Sequence, residues 1–184
     1  MNIARLHTES SLWVKLGIAI GLVVFAVLVR MLPHPANFAP MAAIAIFGGA
    51  ILPRRWALVT PLVAMIAGDI VIGLHPLVLY TWGSFAVIAL ACSHLSPRIS
   101  AKRVAATSIA ASVFFFVVTN FGVWTQGQMY PMTTGGLIQC YVNAIPFFRG
   151  TLFGDLFYSG VLFGLYALAT VKMPLPRTLH TTAK

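Results

Sequence analysis

The sequence predicts an all-α membrane protein with six transmembrane helices, both termini cytoplasmic, and a long external segment between helices 5 and 6. Three observations predict it. Of the 184 residues, 59% are hydrophobic and 8% charged, with a mean hydropathy of +0.91, against roughly 25% charged residues in a soluble domain. The apolar residues gather into six runs separated by proline, glycine or basic residues. The basic residues fall unevenly on the connections between those runs, as the positive-inside rule requires. A disordered or fibrous chain is excluded, because it would need low hydrophobicity or a strict glycine period. At about 20 apolar residues per crossing, the chain has no room for a soluble catalytic domain. We read residues 1–173 as one transmembrane domain and 174–184 as a short cytoplasmic tail.

The first run, Leu12 to Val29, follows a short basic segment, but no small-residue cleavage site follows its core; Arg30 and Pro33-His34-Pro35 stop it instead, so it reads as a retained helix. The second, Phe38 to Leu52, is short and dense in Ala and Gly, which places it inside the bundle or against a partner. The third runs from Trp56 to Ile72 and is broken by Gly73 and Pro76. The fourth covers Leu77 to Leu95, and the fifth Val104 to Trp124. Residues Thr125 to Ile145 are too polar for an ordinary span. With Pro131, Gly135 and Gly136 near the middle, they read as an external segment that folds over a cavity, with 136–144 as a short interfacial or re-entrant helix. The sixth run begins near Pro146 and ends near Val171.

With six spans, Arg5, Lys15, Arg54, Arg55, Arg98, Lys102, Arg103, Lys172, Arg177 and Lys184 fall on the side of the termini, and only Arg30 and Arg149 on the other. The net charge of +9 is therefore read as topology and contact with anionic lipid, not as a nucleic-acid interface, since no basic stripe is interleaved with aromatics.

Two of the three acidic residues, Asp69 and Asp155, lie inside apolar runs, each after a glycine. Carboxylates in a bilayer are costly and face the bundle interior or a water-filled cavity. At a rise of about 1.5 Å per residue, Asp69 lies roughly 20 Å from the cytoplasmic start of its helix and Asp155 roughly 13 Å from the external start of its own. They read as a substrate-binding or proton-coupling pair; the competing reading has each pairing with Arg30 or Arg149 or capping a neighbouring helix. Asn120 and Trp124 share a helix face at i, i+4. Together with Tyr130, Gln139 and Asn143 from the polar segment, and with Arg149, Asp155 and Asp69, they form the expected substrate-binding set. In that reading the segment 125–143 is a lid above Asn120, Trp124, Arg149 and Asp155.

No metal site is expected: Cys92 and Cys140 lack ligand spacing, and His7, His34, His75, His94 and His180 form no ligand pair. The chain also lacks Gly-x-Ser-x-Gly, a P-loop and Cys-x-x-Cys. No enzyme activity and no cofactor are expected.

Leu32-Pro33-His34-Pro35-Ala36-Asn37-Phe38-Ala39-Pro40 with Ala45-Ile46-Phe47-Gly48-Gly49-Ala50, Thr119-Asn120-Phe121-Gly122-Val123-Trp124, and the stretch from Ile145 through Arg149-Gly150-Thr151-Leu152-Phe153-Gly154-Asp155 together resemble a family of small uncharacterised bacterial membrane proteins. The size, six helices and small-residue early helix are also loosely similar to the substrate-binding S components of energy-coupling-factor vitamin transporters. That likeness implies a small-solute, vitamin-like or micronutrient-like uptake subunit of the inner membrane with an external pocket, energised by partner ATPase subunits through a transmembrane coupling subunit. Ala39-x3-Ala43 would supply the coupling face. The alternatives are a self-sufficient proton-coupled secondary transporter and a ligand-free membrane scaffold.

The basic asymmetry generates a test of topology. Cysteines introduced beside Arg54 and Arg103 are expected to react with an impermeant reagent only from the cytoplasmic side. Labelling of either from outside intact cells would overturn the arrangement.

Overall fold

In a computed structural model, residues 3–94 and 100–172 are described; the tail 174–184 and Arg98 lie outside them. Among the described residues there are six helices and no strand: α1 (Ile3–Met31), α2 (Met41–Ile51), α3 (Arg54–Ile72), α4 (Val78–Ser93), α5 (Ala101–Thr125) and α6 (Thr134–Lys172). Four contain stretches long and apolar enough to cross a membrane: Leu12–Met31, Arg54–Ile72, Ala101–Thr125 and Thr134–Ala169. Leucine, valine and phenylalanine side chains such as Leu28, Leu79, Val117, Phe153 and Leu165 are exposed on the outer faces. Such a surface suits lipid as its solvent, as four helices of this length and composition suit a membrane.

α2 is the hub. It packs against all five other helices, and every residue from Met41 to Gly49 is buried. Its 11 residues give only about 16 Å at 1.5 Å per residue, too short to cross alone. The Ala- and Gly-rich composition follows from this position, because five neighbours can approach one helix only if its own side chains are small. A Cβ at Gly49 would lie 2.6 Å from the Cβ of Cys92 on α4. Of the two places expected for this helix, inside the bundle or against a partner, the structure shows the first. Ala43, with no exposed surface, is therefore unavailable as a coupling face.

The connections 32–40, 73–77 and 126–133 share one end of the bundle. The longest of them, which we call the strap, runs from Leu32 to Pro40 between α1 and α2. It carries Asn37 in the left-handed region (φ 59), a conformation that Asn adopts more readily than most residues. The strap lies on α6. A Cβ at Gly150 would collide with the carbonyl oxygen of Ala36, and one at Gly154 would lie 3.1 Å from the Cα of Phe38. Phe38 then packs its ring against Phe157 and Tyr158, at 5.7 and 5.3 Å between centroids. The glycines in Arg149-Gly150-Thr151-Leu152-Phe153-Gly154 thus form a four-residue-spaced track that receives backbone.

One expectation is corrected. The polar segment 125–145 is not a long external loop: only residues 126–133 connect α5 to α6, and 134–145 form the first three turns of a continuous 39-residue helix that carries Pro146 inside it. Proline removes one backbone hydrogen bond, and in a long helix flanking turns and packing maintain the direction. Gly136 does not bend the chain but lets the first turn of α6 pass the Pro131 carbonyl. At about 58 Å, α6 is longer than the roughly 30 Å hydrocarbon thickness of a bilayer.

Substitution tests the glycine track. Gly150→Ala is expected to cost roughly 1–3 kcal/mol, the usual range for overpacking, because the obstacle is strap backbone and not a movable side chain. Gly164, with nothing within 4 Å of its would-be Cβ, is the control; Gly164→Ala should be neutral or stabilising by up to about 1 kcal/mol. Thermal denaturation in detergent would read both, and equal behaviour would refute the track.

Candidate functional site

The first buried charge is resolved inside the strap half of the bundle. Arg30, in the last turn of α1, donates through Nη2 to Asp69 Oδ1 on α3, and the indole N–H of Trp82 on α4 donates to Asp69 Oδ2 at 2.7 Å. The second guanidinium nitrogen of Arg30 donates to the Met65 carbonyl at 3.4 Å. The glycine of the first Gly-Asp pair is explained here, since a Cβ at Gly68 would occupy the place of the guanidinium. His75 Nε2 lies 3.8 Å from Asp69 Oδ2, while its Nδ1 accepts the Leu77 backbone N–H at 3.2 Å.

Beside this cluster lies a cavity of about 350 Å³. All six helices contribute to it. Its polar groups run from the exposed strap residues His34 and Asn37, past Arg30 and His75, to the buried Thr81, Thr151 and Asp155. Its apolar wall includes Met41, Met65, Phe85 and Phe115; the two phenyl rings are stacked at 4.9 Å. A second cavity of about 240 Å³ adjoins it through shared Asn37, Thr81, Phe115 and Thr151, and reaches Thr119 and Asn120 on α5. Both volumes suit small solutes, and a mostly apolar wall with a few fixed polar groups is what such sites show.

Asp155 has different partners from Asp69. It is 2% exposed and lies 2.6 Å from the hydroxyl of Ser112 on α5. Ser112 Oγ is also 2.9 Å from the Ser108 carbonyl, and Ser108 Oγ is 2.9 Å from Ser159 Oγ on α6. Among the described residues no cation lies within ion-pair distance of Asp155, and no cluster of three His, Cys, Asp or Glu could hold a metal.

The expected site residues divide accordingly. Asp155 lines the first cavity and Asn120 the second, with the Asn120 amide donating to the Phe116 carbonyl at 2.8 Å. Asp69 sits behind the wall, held by Arg30. Trp124 donates its indole N–H to the Pro131 carbonyl at 3.1 Å, and Asn143 donates to the Tyr130 hydroxyl at 3.3 Å. These bonds tie the α5–α6 connection to the helices it joins. Gln139 and Arg149 are exposed and line neither cavity. At 100° per residue, position 149 is about 200° from 151, so a helix that turns Thr151 and Asp155 inward turns Arg149 away. The lid expected over Asn120, Trp124, Arg149 and Asp155 is thus not what covers the cavity; the strap residues do.

Sequence reasoning assigned neither the strap nor Ser112 nor Thr151 to the site, held Arg30 only as a competing partner for an acid, and gave the two external histidines no place in it. A signal was present. Ser108 and Ser112 stand one turn apart, on a helix whose partner carries Asp155 and Ser159 one turn apart.

The Arg30–Asp69 pair predicts non-additivity. Arg30→Met alone leaves a buried carboxylate uncompensated and is expected to destabilise by about 3–5 kcal/mol, whereas Arg30→Met with Asp69→Asn should recover much of that loss in thermal unfolding. Simple addition of the two single losses would show that the pair is not coupled.

No curated protein matches the chain, and no solved structure matches it. A family model does, described as a family of unknown function, DUF6580, and it spans residues 10–178. With nearly the whole chain covered, the protein belongs to this family of unknown function.

Proposed function

We propose that the protein binds a small solute in the cavity beneath the strap and takes part in its uptake across the bacterial inner membrane. The observation that carries this reading is the cavity itself: about 350 Å³, walled by all six helices, apolar over most of its surface, and supplied with a carboxyl, two threonine hydroxyls and two imidazoles. A scaffold whose polar residues only join helices has no need of such a space, and close packing of interiors would fill it. In the proposed topology both termini are cytoplasmic and the strap faces outward, so the solute enters beside His34 and Asn37.

Energising by partner ATPase subunits, as in energy-coupling-factor transporters, remains part of this proposal on the strength of the sequence likeness and the absence of a Walker motif. Because α2 is enclosed, a coupling subunit would have to meet the outer faces of the other helices. A second reading, the self-sufficient proton-coupled carrier, is favoured by a specific observation: Asp155 lines the cavity with a serine partner and, among the described residues, no cation.

Native mass spectrometry of the full chain released from nanodiscs tests the reading. Wild type is expected to retain a small molecule. Thr151→Phe, which fills both cavities from their shared wall, should lower retention at least tenfold, about 1.4 kcal/mol, while Arg149→Ala leaves it unchanged. Equal retention in Thr151→Phe, or none in wild type, would remove the cavity as a solute site. Co-purified ATPase subunits would support the partnered form, and uptake by proteoliposomes of this chain alone would support the self-sufficient one.

A further inference from the structure

The hydroxyl of Ser112 has two oxygens within hydrogen-bond reach, Asp155 Oδ2 at 2.6 Å and the Ser108 carbonyl at 2.9 Å, and one proton to give. If Asp155 is charged, both neighbours are acceptors and one contact is oxygen against oxygen with no proton between. If Asp155 is neutral, its own O–H donates to Ser112 Oγ, and Ser112 donates to the carbonyl. In the next pair Ser108 Oγ donates to Ser159 Oγ at 2.9 Å and lies 2.9 Å from the Val104 carbonyl. A proton on Asp155 satisfies both contacts of Ser112.

The ionisable residues that line the cavity are Arg30, His34, His75 and Asp155. The charge of Arg30 is balanced by Asp69 just behind the wall. His75 stands 3.8 Å from Asp69 Oδ2 with its Nδ1 accepting the Leu77 N–H, and His34 lies in the exposed strap with Nδ1 against the Pro35 carbonyl. α2, α4 and α5 present no ionisable side chain to this space. Among the described residues one carboxyl charge therefore stands without an ion-pair partner, and in a low-dielectric site it needs one.

We propose that Asp155 holds one exchangeable positive equivalent, a proton when the cavity is empty and the cationic nitrogen of a small organic ammonium solute when it is filled. The exchange balances: the carboxyl O–H breaks, the proton leaves to water at the mouth of the cavity, and the carboxylate pairs with the incoming ammonium, so that the cavity's net charge does not change. Ser112 turns its hydroxyl from the Ser108 carbonyl to the carboxylate. Phe85 and Phe115 offer ring faces to the cation or its apolar substituent. This inference rests on the solute-binding reading above and names its substrate class.

Infrared spectroscopy of the full chain in nanodiscs tests it, with phenethylammonium as probe and 2-phenylethanol as its neutral counterpart. Wild type at neutral pH is expected to show the carbonyl stretch of a protonated carboxylic acid. That band should vanish in Asp155→Asn and shift in frequency in Ser112→Ala, which removes its acceptor. Since Asn replaces a neutral group, Asp155→Asn should keep its thermal stability. Phenethylammonium should bleach the band and release about one proton per cation bound, and 2-phenylethanol should do neither. Because protons compete at the same carboxyl, affinity for the ammonium should rise about tenfold per pH unit while the acid is protonated. A wild type without the band, or a band that survives in Asp155→Asn, overturns the neutral carboxyl. A band that phenethylammonium leaves unchanged overturns the exchange, and the cavity reading is then judged separately by retention in Thr151→Phe.

Discussion

An unpaired charge inside a bilayer protein is the constraint on which the rest of this structure turns. Asp69 answers it with a cation: Arg30 crosses from the end of α1 over Gly68 to reach the carboxylate, and Trp82 closes the other oxygen. Three helices are thereby pinned at one level. Breaking such a pair is far more damaging than never having it, because the survivor is left buried and charged. The registry of α1 against α3 and α4 follows from this one cluster. It also removes the charge of Arg30 from the electrostatics of the adjoining cavity.

Asp155 answers the same constraint without a cation among the described residues. Its neighbours are serines one helical turn apart on α5 and α6, and its open side is the cavity. Two Gly-Asp pairs that look alike in sequence thus serve unlike ends. In both, the glycine admits something bulky beside the acid: a guanidinium at Gly68 and the strap backbone at Gly154. The first acid is paired with a cation, and the second lines the cavity with a serine as its partner.

The strap and α2 turn this chemistry into a site. A fully buried helix at the centre of the bundle must be entered from one end by chain that cannot itself be buried as loop, since loop backbone carries polar groups in need of partners. The strap meets that need by lying on Gly150 and Gly154 and anchoring Phe38 between Phe157 and Tyr158. The cavity is the space left beneath it. Regions of this kind, with exposed backbone and few buried contacts, lie at the less stable end of a fold, which suits an entrance.

The sequence by itself determined the all-α class, the apolar character expected of membrane spans, and the number and order of the helices. Each of these depends on local composition, and a bilayer makes composition decisive because it leaves so few ways to satisfy a backbone. The polar stretch 125–145 reads in the sequence as an external segment with a short separate helix over 136–144, because its glutamines and glycines break the apolar pattern; they do not break the helix, which runs on from Thr134 to Lys172. Which cation meets which acid was equally hidden. Arg30 and Arg149 stand alike at helix ends in the sequence, yet one turns inward to Asp69 and the other faces out. That choice depends on helix rotation and on neighbours 39 residues away along the chain, and only tertiary packing decides it.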